Sequence, residues 1–163
     1  MDLKERYSVS KDVITEEQVN HINELLSELQ DDAFWTRREN LGPSRGVDGQ
    51  ECAYDFMGHT FMPGELREYL LEIVPREEGY FLGEICINRY KPGDYIGKHK
   101  DRAAYRMNRV IALQENGDGI YIDDEDRFIE DVKGQAVTIQ GVGPVHSVPP
   151  AKNLRHVLIV LYE

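Results

Sequence analysis

Three side chains in this sequence have the types and spacing to hold one metal ion. His99 and Asp101 stand two residues apart at the end of the stretch Phe81 to Asp101, FLGEICINRYKPGDYIGKHKD. In an extended segment residues i and i+2 leave the same face, so an imidazole and a carboxylate placed this way share one side of a strand. His146, far downstream in GPVHSVPPAKNLRHVLIVLYE, offers a third ligand. Two imidazoles and one carboxylate make the facial set that holds non-haem Fe(II) with coordination positions left open. Arg155 follows nine residues later, at the mouth of an apolar run. A cation leading into VLIVLY needs an anionic partner if it is buried there, and a bound dicarboxylate would supply one through the fork that Arg makes with a carboxylate. Singly, each residue says little, since His-x-Asp is common by chance and a His beside an apolar segment more often serves structure. Their order, each beside a predicted strand, is what singles them out.

That order of His-x-Asp, distant His and Arg resembles the 2-oxoglutarate and Fe(II)-dependent oxygenases, and within them the prolyl-hydroxylase-like group. The upstream RYKPGDYIGKHKD is similar to that family's run of Tyr, Gly, Tyr, His, x, Asp, and Tyr90 falls where its co-substrate-binding Tyr is often found. The resemblance spans Phe81 to Glu163. It implies a catalytic Fe(II) at His99, Asp101 and His146, with 2-oxoglutarate gripped by Arg155 and Tyr90 and O2 as the oxidant. It also implies an α+β fold around a double-stranded β-helix, or jelly roll, with N-terminal helices packed on one sheet. The implied activity is hydroxylation of a C–H bond on a prolyl or other amino-acid side chain of a peptide or protein. A free amino acid or another small molecule is the alternative substrate. Val157 departs from related groups that carry Ser or Thr two residues after the Arg, and Arg155 stands where animal prolyl hydroxylases use Lys, which leaves the subgroup open. For Tyr90, packing as an aromatic at a strand end is nearly as good a reading. A cupin-like metal-binding protein without 2-oxoglutarate chemistry would use a similar triad, but it has no reason to place a cation at Arg155.

At 163 residues the chain is expected to be one domain, with a helical and loop part over about 1–79 and a β core over about 80–163. A composition 40% apolar and 30% charged fits a soluble globular protein. No apolar run approaches the ~20 residues that a membrane span requires. The start MDLKERYSVS has no apolar core of a secretory signal, and Cys52 and Cys86 are too few for a disulfide framework, so a cytoplasmic location is expected. A net charge of −11 argues against a broad phosphate-binding surface and makes nucleic acid an unlikely partner. The basic residues cluster at Arg37, Arg38 and Arg45 and at Arg102, Arg106 and Arg109, where ion pairing is the commoner role and substrate contact the alternative.

The elements that must position these residues are also legible. Thr15-Glu16-Glu17-Gln18 is a capping box, and Val19, Ile22, Leu25, Leu26 and Leu29 then recur at helical spacing to give one apolar stripe. A second helix opens at Pro63-Gly64-Glu65 and stops before Pro75. Between them, Asp31 to Gln50 is expected to be a long irregular loop carrying Trp35, which we take as a candidate lid over the substrate. ECAYDFM, from Glu51, alternates as a short strand with Tyr54 and Phe56 on one face. From Phe81, Glu84, Cys86, Asn88 and Tyr90 alternate with Ile85, Ile87 and Arg89, so the two faces of that strand differ in chemistry. Further strands are expected over 110–113, 119–123, 128–132, 135–139 and 155–162, separated by short turns.

Overall fold

The computed structural model describes residues 6–40, 51–101 and 104–163. Eleven strands and two α-helices are present among them, with every strand pair antiparallel. The strands are β1 (Tyr7–Ser10), β2 (Thr36–Glu39), β3 (Cys52–Gly58), β4 (Leu82–Tyr90), β5 (Tyr95–His99) and β6 (Met107–Ala112). They continue as β7 (Gly119–Ile122), β8 (Arg127–Glu130), β9 (Ala136–Gln140), β10 (His146–Val148) and β11 (Arg155–Tyr162). The order across the sheet is β1-β9-β6-β11-β4-β3-β5-β10-β7-β8, with β2 on β3. Strand β3 carries the curl, because it pairs with β4 through Asp55 to Gly58 and with β5 through Cys52 and Ala53. The result is a curled half-barrel of the jelly-roll kind, to which the first 79 residues contribute β1, β2 and β3.

Helix α1 (Glu16–Ser27) starts where the capping box places it: Gln18 N donates to Thr15 Oγ1 at 3.1 Å and Thr15 N to Gln18 Oε1 at 2.9 Å. Helix α2 (Gly64–Ile73) follows Pro63. Val19, Ile22 and Leu26 of α1 and Leu66 and Leu70 of α2 share one buried cluster with Ile85, Ile87, Leu158 and Val160. The opposite parity of the same two strands puts Tyr90 and Val157 in a separate cluster with Tyr54 and Ile96. A strand period of two therefore gives β4 and β11 one face for the helices and one for a cavity.

The stretch from Asp31 is not irregular throughout, contrary to the expectation from its turn residues. Asp32–Phe34 is a 3-10 turn and β2 runs antiparallel to β3 with Thr36 opposite Phe56 and Glu39 opposite Ala53. A four-residue strand reading TRRE has no apolar alternation to betray it, since its pairing comes from β3. Residues 41–50, the rest of the expected lid, lie outside the described residues. Trp35 anchors the segment, buried with Nε1 donating to Leu29 O at 2.6 Å. Arg37 is ion-paired, with Nη1 and Nη2 on the Asp94 carboxylate at 2.8 and 2.9 Å. Arg109 pairs with Glu77 and Arg106 donates to Gly79 O, while Arg45 and Arg102 lie outside the described residues. No helix among the described residues is long and apolar enough to cross a membrane.

Trp35 packs against His156, ring centroids 5.8 Å apart. Burial, and then the charge of Arg89, depress the pKa of His156 from 6.5 to about 4. Its folded pKa lies below its unfolded one, so the unfolded chain binds the extra proton. Stability is full above pH 6.5 and is lost as pH falls towards 4, by about 3 kcal/mol when complete. In His156→Phe, which keeps a ring against Trp35, denaturant midpoints should fall less steeply across that window than in the wild type. An unchanged slope would remove His156 from the acid response.

Candidate metal centre

The turn Lys91 to Asp94 redirects the chain from β4 into β5. Gly93 has φ +92, which a Cβ would strain, and Asp94 N closes the turn on Lys91 O at 2.8 Å. Strand β5 then ends at His99, and β10 begins at His146 directly opposite it in the antiparallel register. Facing positions on neighbouring strands bring side chains together, and the two rings stand 4.2 Å apart between centroids. Asp101 follows, its N–H donating to Val142 O at 3.0 Å, which ties it beside the segment leading into β10. The three ligand atoms lie within 4.8 Å of one another, with Asp101 Oδ1 3.1 Å from His146 Nε2 and 3.9 Å from His99 Nε2. No other such group of His, Cys, Asp and Glu occurs among the described residues.

The surrounding hydrogen bonds decide which atom each ligand presents. His99 Nδ1 faces Gly97 O at 2.8 Å and His146 Nδ1 faces Pro144 O at 2.9 Å. A carbonyl only accepts, so each Nδ1 carries a proton and Nε2 is the atom left to face a metal, free in neutral His99 and freed in His146 once the proton shared with Asp101 is released. Asn108 Nδ2 donates to Asp101 Oδ2 at 3.0 Å, which leaves Oδ1 as the binding oxygen. Burial, followed by the neighbouring His146, lowers the pKa of His99 to about 4, so it is neutral at pH 7 without losing a proton to the metal. Burial also disfavours charge on His146, but Asp101 outweighs it and raises that pKa above 6.5. Burial opposes ionisation of Asp101 too, yet His146, His99 and Asn108 together hold its pKa below the usual carboxylate value. Metal affinity should therefore rise with pH through the titration of His146, the one ligand that must release a proton.

Asn108 was not singled out by sequence, because one Asn in RMNRVIAL carries no signal of its own. Its loss leaves Asp101 Oδ2 without a donor and the carboxylate free to turn. Asn108→Ala should weaken Mn(II) or Co(II) binding by about 10- to 100-fold with the fold unchanged, as read by metal titration. Wild-type affinity would show that Asp101 needs no such support.

Asp101, His99 and His146 line a cavity of about 320 Å³, together with Tyr90 and Arg155. Tyr90 and Arg155 are register partners on β4 and β11, with the guanidinium carbon 5.1 Å from the Tyr90 ring centre. Asn88 Nδ2 donates to the Tyr90 hydroxyl at 3.2 Å, leaving that hydroxyl's proton available. Burial raises the pKa of Tyr90 and keeps it a neutral donor. Arg155 is 2% exposed, and its partner is internal: Nε and Nη2 meet Asp131 Oδ2 and Oδ1 at 2.6 and 3.0 Å. The need for an anion beside this cation is thus met first by Asp131, a residue that sequence reasoning passed over. Arg155 Nη1 is buried and has no partner among the described residues. That orphaned donor belongs to a guanidinium that lines, with Tyr90, the same cavity as the three candidate metal ligands, and the set fits the distal carboxylate of a 2-oxo acid.

Other walls of the cavity come from Tyr54 and Phe56, which share a face as their alternation requires, and from Arg38. Arg38 lies over Phe56, 3.7 Å from the ring centre, and donates to the Tyr54 hydroxyl at 3.2 Å. Of the first basic cluster it is therefore Arg38, not Arg37, that faces the site. Cys86 also lines it, but burial pushes its thiol up to about 12, so it is inert as a nucleophile.

No protein-family model matches the sequence, and neither does any curated protein. Solved structures do match in fold. A collagen prolyl hydroxylase of Paramecium bursaria Chlorella virus-1, in complex with 2-oxoglutarate, is 15% identical, covering 96% of this chain and 95% of that one at a TM-score of 0.60. A Trichoplax adhaerens prolyl hydroxylase bound to a peptide fragment of the hypoxia-inducible factor oxygen degradation domain is 14% identical, covering 98% and 84% at 0.66. A non-haem α-ketoglutarate-dependent epimerase of nogalamycin biosynthesis is 13% identical, covering 96% and 78% at 0.64. At these identities the likeness is one of fold. The chain has the fold of the 2-oxoglutarate/Fe(II)-dependent oxygenases, prolyl hydroxylases among them.

Proposed function

We propose that this protein is a 2-oxoglutarate- and Fe(II)-dependent dioxygenase that hydroxylates a C–H bond on a prolyl or other amino-acid side chain of a peptide or protein. The observation that carries the reading is one cavity lined both by a two-His, one-carboxylate set and by a buried guanidinium whose Nη1 has no partner among the described residues. In this reading His99, Asp101 and His146 hold the iron, and Arg155 Nη1 with the Tyr90 hydroxyl holds the distal carboxylate of 2-oxoglutarate. Three ligands from one side leave the remaining positions of an octahedron open. Bound Fe(II) with 2-oxoglutarate supplies oxygen activation: O2 gives one atom to the succinate formed with CO2 and the other to the substrate C–H bond.

The chain's own part is placement and exclusion. Asn108 fixes Asp101 in one orientation, and the Gly97 and Pro144 carbonyls fix the two imidazole tautomers. Ile96, Val148, Val157 and Ile159 give the cavity apolar walls that keep water from competing at the site. A peptide substrate is supported by the neighbouring fold that binds one, and by Tyr54 and Phe56, which offer aromatic surface to a side chain. The test is substrate-dependent succinate release from iron-loaded protein across peptides and free amino acids, with mass spectrometry of the products. A peptide gaining one oxygen atom in step with succinate is the expected result. Hydroxylation of free amino acids alone would move the substrate class. Succinate release that no candidate stimulates, from protein shown to hold iron, would count against the peptide reading.

A further inference from the structure

Arg155 cannot meet a ligand side-on, because that edge of its guanidinium is already committed. Nε and Nη2 are the two parallel donors that a carboxylate accepts side-on, and both are on Asp131. The Asp131 carboxylate is itself buried, 6% exposed, and Gln114 Nε2 also donates to its Oδ2 at 3.0 Å. The pair is thus a held, internally neutral unit in which Nη1 is the guanidinium nitrogen without a partner among the described residues. The cavity that Arg155 lines also offers Tyr90 and, on the same face of β11 as Arg155, the hydrocarbon of Val157. Asn88 Oδ1, buried and without a partner among the described residues, is an acceptor and adds no attraction for an anion.

A carboxylate entering here gains one charge-assisted contact at Nη1 and a bond from Tyr90, but it meets the like charge of Asp131 across the same guanidinium. An alkyl end of the same length gives up the contact at Nη1, has no charge to desolvate and packs on Val157 and Tyr90. We propose that Asp131 is a positioning residue that sets co-substrate selectivity: by occupying one edge of Arg155 and cancelling its charge, it keeps monoanionic 2-oxo acids within about thirtyfold of 2-oxoglutarate in affinity. This rests on the co-substrate reading of the same site.

The test is calorimetric titration of the full chain, loaded with redox-inert Mn(II), with 2-oxoglutarate and with 2-oxopentanoate, which has the same carbon chain and a methyl in place of the distal carboxylate. The wild type should favour 2-oxoglutarate by no more than about thirtyfold, the range of one partly offset charged contact. Asp131→Asn should tighten 2-oxoglutarate by about tenfold or more and leave 2-oxopentanoate unchanged, because only the dianion senses the uncovered charge. A merely structural Asp131 would weaken both acids together. A wild-type preference beyond about thirtyfold overturns the inference even if the variant does not fold. So does a folded Asp131→Asn protein whose 2-oxoglutarate affinity is unchanged or lower. Binding of neither acid to Mn(II)-loaded wild type is a different failure, since it removes the co-substrate reading itself and the inference with it.

Discussion

Asp101→Ala should abolish turnover and reduce iron affinity by at least about a hundredfold, while the protein stays folded. Even the hydrogen-bond partner of a ligand is worth about 10- to 100-fold in metal affinity, and here the ligand itself is removed. The fold should tolerate the change because Asp101 lies outside the strands, after β5, and its backbone bond to Val142 O does not depend on the side chain. Charge on His146 is disfavoured too: without the carboxylate, burial is opposed only by the Pro144 carbonyl and Asp123, while burial already holds His99 neutral at pH 7. The pH dependence of residual metal binding gives a second readout. In the wild type a proton held on His146 by Asp101 competes with the metal, so affinity climbs with pH. In the variant the main cause of that raised pKa is gone, and the climb should move to lower pH. Full iron affinity in a folded variant would sink the assignment of the site.

The contrast between what was legible in the chain and what was not follows the range of the interactions. The His99–Asp101 pair is readable because strand geometry over two residues puts both on one face, and the faces of β4 and β11 are readable for the same reason of parity. The segment over 36–39 reads as loop because TRRE offers no apolar alternation, and its strand state comes from β3, fourteen to twenty residues away in the register. Strand β10 is hidden behind Gly and Pro, although its first residue, His146, is the distal candidate ligand. Asn108 and Asp131 act by reaching across the fold to Asp101 and Arg155, and a partner 24 positions off leaves no periodic trace. Asn88 was the exception that could have been found, since it stands two before Tyr90 on the face already marked for the co-substrate. Arg155 shows the limit in its sharpest form. The demand of a buried cation for an anion is visible in sequence, but which anion meets it is decided by the β8–β9 connection, where Asp131 sits.

That pairing changes what removal of Arg155 should do. Loss of the cation would raise the 2-oxoglutarate requirement, and it would also strand Asp131, a carboxylate 6% exposed, without its countercharge. Breaking a buried pair by deleting one partner costs about 3–5 kcal/mol, because the charge left behind is desolvated and uncompensated. Arg155→Met should therefore lose stability by about that much in denaturant melts, before any ligand is considered. Replacing both partners by apolar groups removes the desolvation problem at its source. The double variant Arg155→Met with Asp131→Leu should recover most of the loss, since such exchanges are often neutral in stability. It should bind Mn(II) as the wild type does, because neither residue is among the three ligand candidates, and its affinity for 2-oxoglutarate should still be reduced. Stability and co-substrate binding would then separate in one pair of proteins. A double variant as unstable as Arg155→Met would mean that the pair organises the β8–β9 connection through its hydrogen bonds, and one that bound 2-oxoglutarate normally would take the co-substrate role away from Arg155.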